Sequence, residues 1–446
     1  MRYSPSPHPG QPRSDCPATG QTIPATNRHT ESLTTYAKKP KNMKSTTYLT
    51  LALSMLLAAS CGHSPQANLQ PTNNPLPEWA LGGFVRTAVN PVISPDTTTE
   101  FFCPMQGRMM RWEESETFNP AAVVKDDEIV VLYRAEDNTH QGIGSRTSRV
   151  GYATTTDGTT MTRRPTPVFY PDNDNNKRFE WMAGCEDPRV VVTDDGLYVM
   201  TYTGGERNDY PHPYAIARLC VATSRDLVNW TKHGPAFAEA YGGKFRDAWT
   251  KSGSIVTRID DAGRQVVAKI DGKYLMYWGE SMVNLATSDD LVNWTPMVDE
   301  AGDLLAVMSP RKGYFDATLT ECGPPAILTE RGILLVYNGK NAEDGDLRFP
   351  AQYYCGGQAL FDKDDPTRLI ARLDDPFYLP TAEFEKTGQY TYGGLFLEGL
   401  VYYQGKWYLY YGCSDSHVAC AVYDPAAKAD GDPLPEAPIR TAAVQP

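Results

Sequence analysis

The chain has 446 residues, 11% of them aromatic, with 26 Tyr, 36 Gly and 35 Pro; this profile suits an all-β protein with many loops and excludes a helical bundle or a disordered chain. Without the seven Lys/Arg and two Asp/Glu of residues 1–60, 35 basic and 52 acidic side chains remain, a net charge of −17. Such a surface argues against nucleic acid and against electrostatic binding to anionic lipid, and it suits a neutral ligand such as a sugar.

Residues 1–42 are polar and rich in Pro, Ser and Thr, and they read as a disordered leader or as untranslated sequence upstream of a start at Met43. Lys44, the apolar run Tyr48 to Ala59 and Ser60 make residues 43–60 a secretory signal, too short to span a bilayer. Leu57-Ala58-Ala59-Ser60-Cys61 is similar to a bacterial lipoprotein box. That implies a lipid on Cys61 and an exported protein, periplasmic or attached to the outer membrane; ordinary cleavage near Ala59 is the alternative. Residues 61–78 then form a tether, 79–425 the folded domain and 426–446 a C-terminal tail, with the lipid as the one membrane contact. The cysteines lack CxxC spacing and the histidines are isolated, so no metal and no cofactor is expected. One or two disulfides fit an exported protein, but their pairing is not legible.

Five segments share one plan. The first runs Asn119-Pro120 into an apolar stretch, turns at Lys125-Asp126-Asp127 and ends Tyr133-Arg134-Ala135-Glu136-Asp137. The second runs from Glu186-Asp187-Pro188-Arg189 through an Asp195-Gly196 turn to Glu206. The third starts at Lys251, makes a longer excursion and ends at Glu280; the fourth runs Glu321 to Asn341; the fifth runs Glu398 to Asp415 around Gln404-Gly405. Each reads as a β-hairpin. A further strand pair follows, with matching runs at Cys220 to Trp230 (ending Asp-Leu-Val-Asn-Trp) and Asn284 to Trp294. A repeat of about 65 to 75 residues built of four short strands predicts a five-bladed β-propeller. The fifth repeat lacks its outer strand, and Arg86 to Pro95 echoes the missing element, so the N-terminal strand is expected to close the ring by pairing with the last blade.

The start of one hairpin strand and the end of the next lie at the same end. This places Asn119 and Asp137, Glu186, Asp187 and Glu206, Lys251 and Glu280, Glu321 and Asn341, and Glu398 and Asp415 on one rim around the axis. Crowded carboxylates raise one another's pKa values, as general acid and base work requires, and paired acids with aromatics nearby point to glycoside hydrolysis. Trp112, Trp181, Tyr210, Tyr214, Tyr241, Trp249 and Tyr314 are the candidate stacking aromatics, most of them equally explained by packing between strands.

Together, Asn119-Pro120-Ala121-Ala122, Tyr133-Arg134-Ala135-Glu136-Asp137, Ser148-Arg149-Val150-Gly151, Glu186-Asp187-Pro188-Arg189, Gly323-Pro324-Pro325 and Tyr411-Gly412-Cys413-Ser414-Asp415 resemble glycoside hydrolase family 130. The resemblance implies a five-bladed propeller acting on β-mannosides, as a phosphorylase or a β-1,2-mannosidase. It implies Asp137 as proton donor, with relay through a mannose hydroxyl, and Asp187, Arg189 and Asp415 as sugar-binding groups; Glu186, on the same rim, is a further substrate-binding candidate. Asn119, Arg134 and Arg149 line the same pocket in this reading, Arg149 being alternatively a structural partner.

Family phosphorylases resemble one another in a Tyr-His-Gly where this chain has Tyr337-Asn338-Gly339, so the phosphate-binding His is replaced by Asn338, here a sugar-binding candidate. Lys251 stands where a phosphate-binding Lys occurs. Glu280 and Glu321 stand where phosphorylases look neutral; carboxylates repel phosphate and can deprotonate water, which favours an inverting hydrolase with Glu280 or Glu321 as base. Such a reaction wants the two carboxyls roughly 6.5–9.5 Å apart. The alternatives are a β-mannoside phosphorylase, a non-catalytic glycan-binding propeller, and an arabinanase-like five-bladed glycosidase.

Overall fold

The computed structural model describes residues 75–140, 144–207 and 216–427. The leader, signal, Cys61, the tail beyond 427, and Tyr210 and Tyr214 lie outside the described residues. The described chain is all-β: its one α-helix is the four-residue Lys177–Glu180. Antiparallel meanders follow one another along it. The first comprises Glu116–Lys125, Glu128–Glu136, Ser148–Thr155 and Thr162–Arg163, and the second Met182–Val192, Tyr198–Glu206, Ile216–Ser224 and Trp230–Pro235. The third has Gly253–Ile255, Lys273–Trp278, Val283–Ser288 and Trp294–Pro296. The fourth has Leu319–Cys322 and Ile327–Thr329 against Gly332–Lys340, then Tyr354–Phe361 and Leu369–Arg372. The fifth has Leu395–Tyr403, Lys406–Cys413 and His417–Tyr423. Its fourth strand is N-terminal: Val85 and Arg86 pair antiparallel with Val422 and Ala421. Arg86 fixes that strand through its guanidinium, bonded to both oxygens of buried Glu385 (2.6 and 2.8 Å) and to the Leu379 carbonyl.

Three hairpins turn on two residues with positive φ, the geometry whose twist matches paired strands: Asp126-Asp127 (50° and 64°), Asp271-Gly272 (50° and 78°) and Gln404-Gly405 (48° and 81°). The flanking pairs Lys125–Glu128, Ile270–Lys273 and Tyr403–Lys406 set the register. The repeated Asp-Leu-Val-Asn-Trp is a turn module. Asp226 accepts hydrogen bonds from the Val228 and Asn229 amides, and Asp290 does the same with Val292 and Asn293. The tryptophan closes each turn by donating to the leucine carbonyl.

Two features depart from the expected repeats. The strand after Gly253–Ile255 crosses over: Thr257–Ile259 pairs with Gln265–Val267 and, through Thr257 and Ile327, with the fourth meander. The partner strand there is broken by Pro324 and Pro325, which supply no amide donors, and Thr257 bonds the Ala326 carbonyl through both its amide and its hydroxyl. A separate hairpin, Phe101–Cys103 with Arg108–Met110, precedes the first meander. The seven described cysteines are free and buried.

Successive meanders are also joined side by side. Ser148 pairs with Gly184, the Thr201 hydroxyl donates to the Gly253 carbonyl, the Cys322 amide donates to Gly279, and Asn338 exchanges two hydrogen bonds with Leu397. The Thr117 amide donates to the Ser416 carbonyl, linking the fifth meander to the first. The apolar clusters follow the same order, for example Val130, Val150, Met200 and Cys220 between first and second, and Tyr133, Val131, Tyr410 and Val418 between first and fifth. Trp294 is fully buried in such a cluster whereas Trp230 is partly exposed at its edge. Trp294→Ala is therefore expected to lower the unfolding free energy by about 3–5 kcal/mol, and Trp230→Ala by clearly less, in urea titrations of the two variants.

Candidate active site

A pocket of about 230 Å³ opens where the meanders meet. Asn119, Arg134, Asp187, Lys251, Glu280, Glu321 and Asp415 line it, bringing residues from positions 119 to 415 together as the hairpin geometry predicts. Backbone irregularity aims several of them. Asn119 (φ 45°) and Asp187 (φ 50°) sit at bulges where the register of the inner strand slips, between Phe118 and Pro120 and between Glu186 and Arg189. Asp415 (φ 55°) is also left-handed. Asn and Asp tolerate this region better than other side chains, and such strain collects at binding sites. Gly412 leaves room for the first bulge, since a Cβ there would lie 2.3 Å from Asn119 Oδ1.

Asp187 is the centre of the polar network. Its Oδ1 accepts from Asn119 Nδ2 and from Arg134 Nη1, both at 2.9 Å, and Lys251 Nζ lies 3.9 Å from Oδ2. Burial alone would raise this carboxyl, but the charges of Arg134, Lys251 and Arg189 and the Asn119 hydrogen bond hold it well below the usual carboxylate range. Two other acids go the other way. Burial pushes Glu321 up to about 8, assisted by repulsion from Glu280 and opposed by Lys251, Arg189 and the Ser252 hydroxyl, which donates to Oε1. Burial lifts Asp415 to about 7 against the attraction of Arg134, with Asp187 and Glu136 adding repulsion.

The remaining candidates lie beneath or beside the pocket surface. Glu186 is buried and takes part in the Arg134 cluster, 3.2 Å from Nη2. Arg189 is buried and reaches the carbonyls of Gly323 and Cys322 and, at 3.1 Å, Glu398. Asn338 joins Leu397 and does not line the pocket. Asp137 is also outside the lining: its Oδ2 pairs with Arg149 at 2.8 Å and its Oδ1 is bonded by Thr139. Arg149, fully buried against Phe101, Cys103 and Met110, thus occupies the structural-partner position. Among the expected aromatics, Trp112 is buried, and Tyr241, Trp249 and Tyr314 are exposed.

The aromatics that line the pocket are Phe118, Tyr354, Tyr390 and Phe396. Arg134 lies over the Phe118 ring, and Tyr354 packs edge-on against Tyr390 and Phe396. Lys340 lies over both tyrosine rings, its amine lowered by burial and pulled back by Glu280, Glu321 and Asp415. Of these Phe118, Lys340 and Phe396 stand near the ends of the repeated hairpins. Gln389, another lining residue, donates to the Asp415 carbonyl and accepts from Arg146. Among the described residues no group of three His, Cys, Asp or Glu side chains is arranged to hold a metal ion.

A raised carboxyl pKa has a thermodynamic consequence. Between the ordinary glutamate value of 4.5 and about 8 the folded state holds a proton on Glu321 that the unfolded chain has lost. Stability therefore falls as pH rises through that window. Melting temperatures are expected to decline from pH 5 to 8, and Glu321→Gln, which cannot ionise, should flatten that decline.

Residues 89–426 match the family model described as beta-1,4-mannooligosaccharide phosphorylase, that of glycoside hydrolase family 130. A 1,2-beta-oligomannan phosphorylase of Thermoanaerobacter sp. (strain X514) is 31% identical over 318 residues, 70% of this chain and 91% of that one. A solved glycosyl hydrolase from Bacteroides ovatus is 59% identical with a TM-score of 0.77, covering 81% of this chain and 99% of that one. Equal in identity, TM-score and coverage is a structure from work on family 130 mannoside phosphorylases, a family said there to contain glycoside hydrolases that target β-1,2 mannosidic linkages in Candida mannan.

Proposed function

Since the chain belongs to glycoside hydrolase family 130, we propose that it is an inverting β-mannosidase that cleaves β-1,2 linkages of manno-oligosaccharides with water. The observation that carries this reading is the charge of the pocket. Asp187, Glu280, Glu321 and Asp415 face it together, against Arg134 and Lys251. Arg134 is engaged by Glu136, Glu186 and Asp187, and Lys251 stands beside Asp187. A phosphate dianion entering there meets four carboxyl groups in a low-dielectric site, whereas water meets bases. The likeness at 59% identity to a structure from work on family 130 glycoside hydrolases that target β-1,2 mannosidic linkages supports the same reading.

In the proposed reaction Asp187, Arg134 and Asn119 hold the mannosyl ring. A water attacks C1 from the face opposite the leaving oxygen and gives its proton to Glu280; the C1–O bond breaks as the leaving oxygen takes a proton. Glu321, raised to about 8, holds a proton at neutral pH and so is not free to take one from the water. The donor that the resemblance implies is Asp137. The observation favouring Asp415 in that role is its place in the lining with a carboxyl raised to about 7. The fold is proposed to be a five-bladed propeller, each meander a blade; the lateral hydrogen bonds, the clusters between successive meanders and the Val85–Val422 pairing support it. Export with a lipid on Cys61 is carried forward as part of the proposal.

The names of the curated relatives support phosphorolysis as the second reading. Incubation with β-1,2- and β-1,4-mannobiose, each with and without phosphate, separates the two. Phosphate-independent release of mannose from the β-1,2 disaccharide is expected; formation of mannose 1-phosphate, or binding without turnover, would sink the hydrolase reading. Glu280→Gln is expected to lower kcat by about 10²–10⁴-fold, and an unchanged rate would remove Glu280 as base. Comparing Asp137→Asn with Asp415→Asn on a substrate with a good leaving group assigns the donor, because the variant lacking the true donor keeps its rate there and loses it on mannobiose.

A further inference from the structure

We infer that Trp249 is a positioning residue that holds Glu280 in its reactive orientation, an inference that rests on Glu280 as the proposed base. Glu280 stands in a tight connection between Lys273–Trp278 and Val283–Ser288, directly after Gly279, whose φ of 129° leaves no space for a side chain. No strand pairing restrains it there. Among the described residues, the hydrogen bond that its carboxylate accepts comes from Trp249 Nε1, 2.7 Å from Oε2. The chain that carries the indole is anchored next to it. The amide and hydroxyl of Thr250 bond the second meander at Ala217 and Leu219, and the Lys251 carbonyl accepts from Gly279, one residue before Glu280. Indole and carboxylate thus hang from the same junction of the second and third meanders.

Burial does not account for this tryptophan. It is 49% exposed and belongs to none of the apolar clusters. The single donor of this indole is committed to a pocket carboxylate, a charge-assisted hydrogen bond that orients the acceptor. An oriented base matters because small misplacements of a reacting group cost rate far more than binding.

The test separates positioning from packing. Trp249→Phe keeps an aromatic ring and removes the donor; it is expected to lower kcat on β-1,2-mannobiose by about 10- to 100-fold, with KM within twofold and an unaltered melting temperature. Trp249→His, which restores a ring N–H, should recover part of the loss. Combined with Glu280→Gln, the Phe substitution should add less than a twofold further loss, since its effect passes through Glu280. A kcat for Trp249→Phe within twofold of the parent, or a loss that multiplies fully with that of Glu280→Gln, overturns the positioning role while leaving the base assignment standing. Full activity of Glu280→Gln itself overturns the base reading and the inference with it.

Discussion

The site is built on one buried carboxylate. Asp187 binds Asn119 and Arg134 of the first meander and faces Lys251 at the start of the third. Its neighbours extend the reach: Gly184 pairs with Ser148, and Arg189 bonds the backbone of the fourth meander and Glu398 of the fifth. Six residues of one strand therefore touch all the meanders. The left-handed φ at Asp187 is a local cost on the order of 1–3 kcal/mol, offset by charge-assisted hydrogen bonds that form only if the bulge turns its carboxylate inward.

That arrangement leaves the centre with more acids than cations. Glu136, Glu186, Asp187, Glu321 and Glu398, all buried, and half-buried Asp415 surround Arg134, Arg189 and Lys251. The cations outweigh burial at Asp187, and burial outweighs them at three other acids. Glu321 and Asp415 rise to about 8 and about 7, and burial drives Glu398 well above its ordinary value. A stability-optimised core would not hold such a set. Its retention is what a pocket that must both give and take protons requires.

Much of this was legible in the sequence, and the limits have physical causes. The hairpin rule brought Asn119, Asp187, Lys251, Glu280, Glu321 and Asp415 to one pocket because strand ends recur at a fixed place in each repeat. It could not tell lining residues from those behind them. Adjacent strand residues point to opposite sides, and each bulge changes which one faces inward; so Asp187 faces the pocket while Glu186 and Arg189 run beneath it. Asp137 lies past its strand end, where the loop decides its direction, and the pairing with Arg149 has no sequence signal. Tyr390 and Gln389 were missed because they stand on a unique connection, and Tyr354 and Phe396 because they stand at strand starts where the polar motif gives no signal.

The repeat also explains how five similar meanders yield an asymmetric site. In the first, second and fifth meanders the inner strand is continuous but bulged, at Asn119, Asp187 and Glu398. In the third and fourth it is interrupted instead, by the crossing at Val256 and by Gly323-Pro324-Pro325. A bulge turns one polar side chain inward and ties it to its neighbours. Beside the interrupted strands, Glu280 sits on a connection, and Glu321, paired with Asn338, accepts from the Ser252 hydroxyl. The proposed division of labour follows: the bulged side grips the sugar through a hydrogen-bonded network and carries the proposed proton donor, and the interrupted side presents Glu280 and Glu321 to the water.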